Sequence, residues 1–151
     1  MSVAMQIDEV GELLTNLIGR EITAGPTDSV DPHPATIRGL VTNENQLVAV
    51  IGSDLDFAHR TSAALAMIPA GRCDDAGDTP DDDLLDVYRE VSNVLSRLID
   101  EATPMRVRLD PGMDHDLDAM QAIVAAGSPM ALCEAQVDGY GSGRFGVWYQ
   151  G

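Results

Sequence analysis

The strongest hydrophobic pattern in the chain lies between Thr79 and Ala102, where apolar residues recur every three or four positions. This spacing predicts an amphipathic helix with one face against a core. Thr79 is the predicted N-cap and Pro80 the first helical residue, and the three aspartates that follow suit the positive end of the helix dipole. The residues expected on the buried face are Leu84, Val87, Tyr88, Val91, Val94, Leu95 and Leu98.

A second, polar stripe follows the same predicted helix and consists of Asp86, Glu90, Asn93 and Arg97. Side chains at these spacings lie one above the other on one side of a helix. We expect Glu90 and Asn93 to be exposed, so that a carboxylate and a carboxamide are presented together to a partner. An ordinary solvated face is the alternative interpretation. The like-charge pair Asp86 and Glu90 weighs against that alternative without excluding it.

The remaining elements follow from shorter patterns and from turn signals. Pro26, Pro32 and Pro34 predict that residues 23–35 form a connection with few ladder bonds, and residues 69–80 are predicted to be a loop. The predicted helices are Ile7–Ile18, Leu55–Met67 (capped by Ser53 or Asp54) and Leu117–Ala126, and the predicted strands are Thr36–Val41, Gln46–Ile51, Met105–Leu109, Met130–Val137 and Arg144–Tyr149.

These elements predict an α+β fold in which an antiparallel sheet packs against the helices at 7–18 and 84–101. The length of 151 residues suits one domain with a sizeable core, in which residues 1–5 are expected to be loose. Trp148 is expected to anchor the sheet or an interface.

The charge balance restricts the partners. The formal net charge is −16, with 25 acidic residues against 9 basic ones, and all of the basic residues are arginines. Such a surface repels nucleic acid and anionic lipid, which makes both poor partners. It could attract a cationic patch on another protein, or it could reflect only a biased composition. No apolar run approaches the ~20 residues of a membrane span, and no signal peptide is evident, so we expect a cytoplasmic protein.

Metal and thiol chemistry find little support in the sequence. Cys73 and Cys133 have no second cysteine at ligand spacing, and Cys133 is expected to be a small buried hydrophobe. The aspartates at 74, 75 and 78 lack the spacing of a calcium loop, and the acidic run at 114–116 suits the start of a helix. His59 is expected at the surface.

The motif Asp86-x-x-x-Glu90-x-x-Asn93 resembles the D/S-x-x-x-E-x-x-N signature of the CheC/CheX/FliY chemotaxis phosphatases. Residues 48–69, VAVIGSDLDFAHRTSAALAMIP, resemble the strand and helix that precede the signature helix, and residues 13–22, LLTNLIGREI, resemble the first helix of that family. The first helix can carry another copy of the motif. Here Asn16 is present but Leu13 stands in the place of the glutamate, which favours a one-site, CheX-like arrangement.

The resemblance implies a phosphatase that dephosphorylates the aspartyl-phosphate of a CheY-like response regulator. Asn93 would hold a water in line with the phosphorus, and Glu90 would pair with a lysine of the receiver domain, with Asp86 one turn earlier. The phospho-aspartate and Mg²⁺ would belong to the partner, so this chain would bind no cofactor. The resemblance also implies a homodimer that forms through the sheet.

One departure from the family concerns Arg97, which stands where a glycine is usual. The arginine could clash with the receiver or could contact the phosphoryl group. A non-catalytic binding module for a receiver domain or another signalling protein is therefore the alternative function, and a helix with a purely structural role is a third.

Overall fold

The computed structural model describes residues 7–104, 106–110, 117–126 and 129–150. The predictions for residues 1–5 and for the acidic run at 114–116 lie outside these ranges. In chain order the elements are α1 (Ile7–Ile18), β1 (Ile22–Pro26), a 3₁₀ turn (Pro34–Thr36), β2 (Arg38–Val41), β3 (Leu47–Ser53), α2 (Leu55–Leu65), α3 (Gly71–Ala76), α4 (Asp82–Ala102), β4 (Arg108–Leu109), α5 (Leu117–Ala125), β5 (Pro129–Val137) and β6 (Gly141–Tyr149).

The described strands form one antiparallel sheet in the order β1-β5-β6-β3-β2-β4. The two predicted hairpins, β2–β3 and β5–β6, supply neighbouring pairs, and β6 pairs with β3 to join them. The predicted α+β fold, with an antiparallel sheet against long helices, is confirmed. Helix α1 has the predicted bounds, and Gly19 with φ of 78° ends it in the left-handed conformation that glycine adopts readily.

The connection predicted over residues 23–35 is wrong in its first part, because β1 is a strand that pairs with β5. Ile22 is buried, and β1 lies at the edge of the sheet, where Pro26 at the strand end is tolerated. The loop predicted over residues 69–80 is likewise interrupted by α3, whose Cys73 is buried against Ala63. Each element is too short for its periodicity to show in the sequence.

The predicted N-cap of α4 is also wrong. Thr79 is in a turn, where its N–H donates to the carbonyl of Ala76, and the helix begins at Asp82, three residues later. Asp81 caps it, because its carboxylate accepts the N–H groups of Asp83 and Leu84 at 3.1 and 3.2 Å.

Helices α1, α2 and α4 contribute to the main core on one face of the sheet. Phe57 of α2 lies at its centre, with its ring centroid 4.9 Å from that of Phe145 on β6 and 6.2 Å from that of Tyr88 on α4. The close approach of α2 to β6 depends on Gly143, because a Cβ at that position would overlap the backbone of Phe57.

The opposite face of the sheet carries a smaller core. Trp148 is 4% exposed and packs with Val50, Ile37, Met120 and Ile123, which come from the sheet, the segment before β2 and helix α5. The predicted anchoring role of Trp148 is therefore to hold α5 on the sheet. Within the described ranges, no helix is both long enough and apolar enough to cross a membrane.

Candidate functional site

Helix α4 presents the polar stripe to solvent. Asp86, Glu90, Asn93 and Arg97 are all exposed, as predicted for Glu90 and Asn93. On the opposite side Leu84, Tyr88, Val91, Val94, Leu95 and Leu98 are buried, whereas Val87 is half-buried. The structure therefore brings the four predicted site residues together on one accessible face, over about three turns of helix.

The stripe side chains are free to meet a partner. To the described part of the chain, none of Asp86, Glu90, Asn93 and Arg97 makes a side-chain hydrogen bond or ion pair, whereas carboxylates at both ends of α4 are engaged by arginines. As far as the described residues are concerned, no side-chain bond must be broken before Glu90 or Asn93 contacts another molecule.

The N-terminal end of α4 is held by a polar cluster. The guanidinium of Arg72 donates to both carboxylate oxygens of Asp81, at 2.8 and 3.0 Å, and to the carboxylate of Asp83 at 3.0 Å. Arg72 is the main reason that the pKa of Asp81 lies below its ordinary value. The ionised carboxylate can therefore cap the helix throughout the neutral range.

His59 belongs to this cluster, which corrects its predicted surface position. It is 1% exposed, and its Nε2 accepts the backbone N–H of Asp81 at 3.1 Å. Burial lowers the pKa of the imidazole. His59 therefore acts as a neutral acceptor that joins α2 to the cap of α4. A sequence offers no local signal for this bond, since 22 residues separate its partners.

The C-terminal end of α4 is fixed by Asp100. Its carboxylate accepts the N–H of Val107 at 2.9 Å and the Nε–H of Arg106 at 3.1 Å. These bonds tie α4 to the segment that leads into β4, so both ends of the helix are anchored. A rigid support of this kind suits a site that must position a small group.

Arg89 is exposed on the same face of α4, one turn before Asn93, and sequence analysis missed it. The chosen stripe followed steps of four, three and four residues, so a residue four positions before the asparagine fell outside it. The i, i+4 spacing of Arg89 and Asn93 is the signal that identifies it.

The position on α1 where the motif resemblance would require a glutamate cannot act in the same way. Leu13 is half-buried and packs against the main core, while its neighbours Glu12 and Asn16 are exposed. Asn16 therefore stands on the surface without a glutamate at the motif spacing.

The described residues provide neither a metal site nor a reactive thiol at this helix face. Among the described residues, no group of three or more His, Cys, Asp and Glu side chains is arranged to hold a metal ion. Cys73 and Cys133 are free and buried, as expected for Cys133, and burial raises the pKa of the Cys133 thiol to about 11. A thiol with such a pKa is a poor nucleophile at neutral pH. A surface depression of about 350 Å³ beside Pro32, Asp54 and Asp78 is lined by none of the four stripe residues.

No protein-family model matches the sequence, and no curated protein matches it at a significant level. Solved structures do match the fold. FliY from Thermotoga maritima aligns with a TM-score of 0.53 and 9% sequence identity, over 97% of this chain and 84% of that one. A chain from the FliG-FliM complex of H. pylori aligns with a TM-score of 0.51 and 8% identity, over 95% and 86%.

The chain has a CheC/CheX/FliY-like fold. The match extends over nearly the whole chain, so the sheet, α4 and the helices around it are all part of this fold. At such low identity the likeness concerns the fold alone. The arrangement of Glu90, Asn93 and the arginines beside them is established only from this chain's own geometry.

Proposed function

We propose that this protein is a CheX-like phosphatase that dephosphorylates the aspartyl-phosphate of a CheY-like response regulator. The observation that carries the proposal is the pair Glu90 and Asn93, exposed, without partners among the described residues, and one turn apart on a helix anchored at both ends. The fold shared with FliY supports a role in chemotaxis or flagellar signalling.

Asn93 is the proposed catalytic residue. Its carboxamide offers one acceptor and two donors, which suits it to hold a water in line with the phosphorus atom. The water oxygen forms a bond to phosphorus, the bond from phosphorus to the aspartyl oxygen breaks, and the products are inorganic phosphate and the free aspartate. Positioning of the attacking water is a recurrent device in phosphoryl transfer. Mg²⁺ would be bound by the partner receiver and not by this chain.

Glu90 is the proposed anchor. Its carboxylate would pair with a lysine of the receiver domain and fix the docking register, and Asp86 would add negative charge one turn earlier. Pairs formed at exposed positions are individually weak, so Glu90 would act on orientation and affinity more than on the chemical step.

The test is phosphate release from a phosphorylated receiver of the same organism in the presence of Mg²⁺. The wild-type protein should accelerate release, and Asn93→Ala should remove most of the acceleration, by about a hundredfold. Glu90→Ala should mainly raise the concentration needed for half-maximal rate. Asn16→Ala is the matched control, since it removes an exposed helical asparagine without a partner glutamate. Equal losses in Asn16→Ala and Asn93→Ala would contradict the role of Asn93.

A non-catalytic binding module is the second candidate function. Arg97 occupies the place where the family usually has glycine, and it is exposed beside Asn93. The similar fold in the FliG-FliM complex shows that such a fold occurs in a protein–protein assembly, which supports a flagellar or chemotaxis binding partner. Tight binding of a receiver without any change in phosphate release would favour this function over the enzyme.

We also propose that the protein forms a homodimer through a sheet edge, as the family resemblance implies. β1 is a five-residue edge strand, whereas β4 at the other edge has two residues. Unpaired backbone groups along an edge can pair with a second copy. Light scattering should give twice the monomer mass, and a monomer mass at tens of micromolar protein would contradict the dimer.

A further inference from the structure

The arginines of this acidic protein divide into two groups. All nine lie within the described residues, and seven of them donate to an oxygen atom of the protein. The seven are Arg20, Arg38, Arg60, Arg72, Arg106, Arg108 and Arg144. Arg89 and Arg97 make no such bond and no ion pair with the described part of the chain, although the sequence has 25 carboxylates.

These two arginines flank Asn93 symmetrically. Each is four residues from the asparagine, one toward either end of α4, and all three side chains are exposed. On a helix, four residues correspond to a rise of about 6 Å and a rotation of about 40°. Arg89 and Arg97 therefore lie above and below Asn93 on one face, each offset from it by the same small angle in opposite directions.

Two carboxylates, Asp86 and Glu90, share this exposed face with the arginines, but neither is paired with Arg89 or Arg97 in the described part of the chain. The carboxylate nearest in sequence to Arg97 is Asp100, and it is already occupied by Arg106 and the N–H of Val107. Near Arg89 lies Arg38, whose pKa is lowered mainly by burial and also by the charge of Arg89. Two guanidinium groups without a bond to the described residues and one carboxamide thus face solvent together, beside the carboxylates of Asp86 and Glu90.

We propose that Arg89, Asn93 and Arg97 form an oxyanion-binding face that takes the non-bridging oxygens of a phosphoryl group presented by the partner. The inference rests on the proposed function. It adds that Arg89 and Arg97, on either side of Asn93, recognise the oxygens of the phosphoryl group. Guanidinium groups bind phosphate oxygens through paired N–H donors. Charge on those oxygens must be stabilised during phosphoryl transfer, and arginine is a recurrent means of doing so. Arg97 is then a participant and not an obstruction.

The first experiment needs no protein partner. Inorganic phosphate is titrated into the isotopically labelled protein, and the side-chain Nε–H signals of all arginines and the Nδ2–H signals of Asn93 are followed by NMR. The signals of Arg89, Arg97 and Asn93 should shift together and saturate, while those of Arg20, which is bonded to the carbonyl of Asp138, should not. A titration that leaves the Arg89 and Arg97 signals unchanged overturns the proposal.

The second experiment uses a receiver loaded with trifluoroberyllate, a stable stand-in for the phosphoryl group, and the same receiver without it. Arg89→Gln and Arg97→Gln should each weaken binding of the loaded receiver roughly tenfold and leave binding of the unloaded receiver unchanged. Arg20→Gln makes the same change in net charge on the segment after α1 and should have no selective effect. Equal weakening of both receiver forms would contradict phosphoryl recognition.

The two proposals fail in different ways. Suppose that the wild-type protein does not accelerate phosphate release, but that the arginine variants bind only the loaded receiver more weakly. The oxyanion-binding face is then supported and the phosphatase function is contradicted. If phosphate release depends on Asn93 but is unchanged in Arg89→Gln and Arg97→Gln, the phosphatase stands and the oxyanion face falls.

Discussion

His59 and Asp81 are joined by a hydrogen bond in which the buried Nε2 of His59 accepts the backbone N–H of Asp81, at 3.1 Å. The bond connects α2 to the residue that caps α4, the helix that carries the candidate site. It requires a neutral imidazole, because a protonated one has no acceptor. The candidate site is therefore supported at one end by a group whose charge state depends on pH.

We expect this bond to make folding stability depend on pH between the neutral and the mildly acidic range. Burial lowers the folded-state pKa of His59 below its ordinary 6.5, against the opposing charges of Asp81 and Asp56 and with the help of His33 and Arg60. The unfolded chain then binds the proton more readily than the folded one. The stabilisation is complete above the unfolded-state pKa and is lost as pH falls through the folded-state pKa.

Urea denaturation at a series of pH values checks this expectation. His59→Gln keeps an acceptor for the Asp81 N–H but does not titrate, so it should flatten the dependence in the window below 6.5, the ordinary histidine pKa. His33→Gln removes one of the smaller influences that lower the pKa of His59 and keeps the imidazole itself, so it should leave most of the dependence in place. An unchanged slope in His59→Gln would show that another group is responsible.

The cap of α4 should be measurable by itself. Asp81→Ala removes the acceptor for the N–H groups of Asp83 and Leu84 and should lower the free energy of unfolding by about 1 kcal/mol. Asp81→Asn retains a capping oxygen and should cost much less. Denaturant titration of both variants gives the comparison, and Thr79→Ala, at the residue predicted from sequence, should be close to neutral.

At the end of α2, Met67 adopts a backbone conformation that is strained for methionine and that glycine adopts without strain. Met67 has φ of 60° and is 90% exposed, and the N–H of Ile68 donates to the carbonyl of Ala63 at 2.8 Å, as in a Schellman ending. Met67→Gly should therefore raise the free energy of unfolding by roughly 0.5–1 kcal/mol. Met67→Ala keeps the Cβ and should show little gain. Thermal and urea unfolding report both, and a destabilised Met67→Gly would mean that the methionine side chain makes a stabilising contact.

The contact between α2 and β6 should tolerate no side chain at Gly143. A Cβ there would overlap the backbone of Phe57, so Gly143→Ala should lower the free energy of unfolding by about 1–3 kcal/mol. Gly25 on β1 is the matched control, because a Cβ at that strand position meets no atom within 4 Å. Comparable losses in Gly25→Ala and Gly143→Ala would mean that loss of glycine in a strand, and not the helix contact, is the cause.

Local pattern alone determined the main elements of this protein and the face of α4 that carries the candidate site. The long amphipathic repeat between Leu84 and Leu98 predicted which side of the helix is buried, and Asn93 and Glu90 follow on the other side. Strand alternation and turn residues predicted both hairpins. These features depend on neighbours a few residues apart, which is the range over which helical and strand periodicity act.

Only the tertiary structure decided the features that depend on distant partners. β1 is a strand because β5 pairs with it, and His59 is buried because α2 packs beside the start of α4. The helix is capped by Asp81 and not by the predicted Thr79, because Arg72 and His59 both form hydrogen bonds with Asp81. That Arg89 and Arg97 are exposed and pair with no carboxylate of the described ranges also depends on where the carboxylates lie in space. Contacts between residues far apart in the sequence decide which local conformation forms where the local pattern is compatible with more than one.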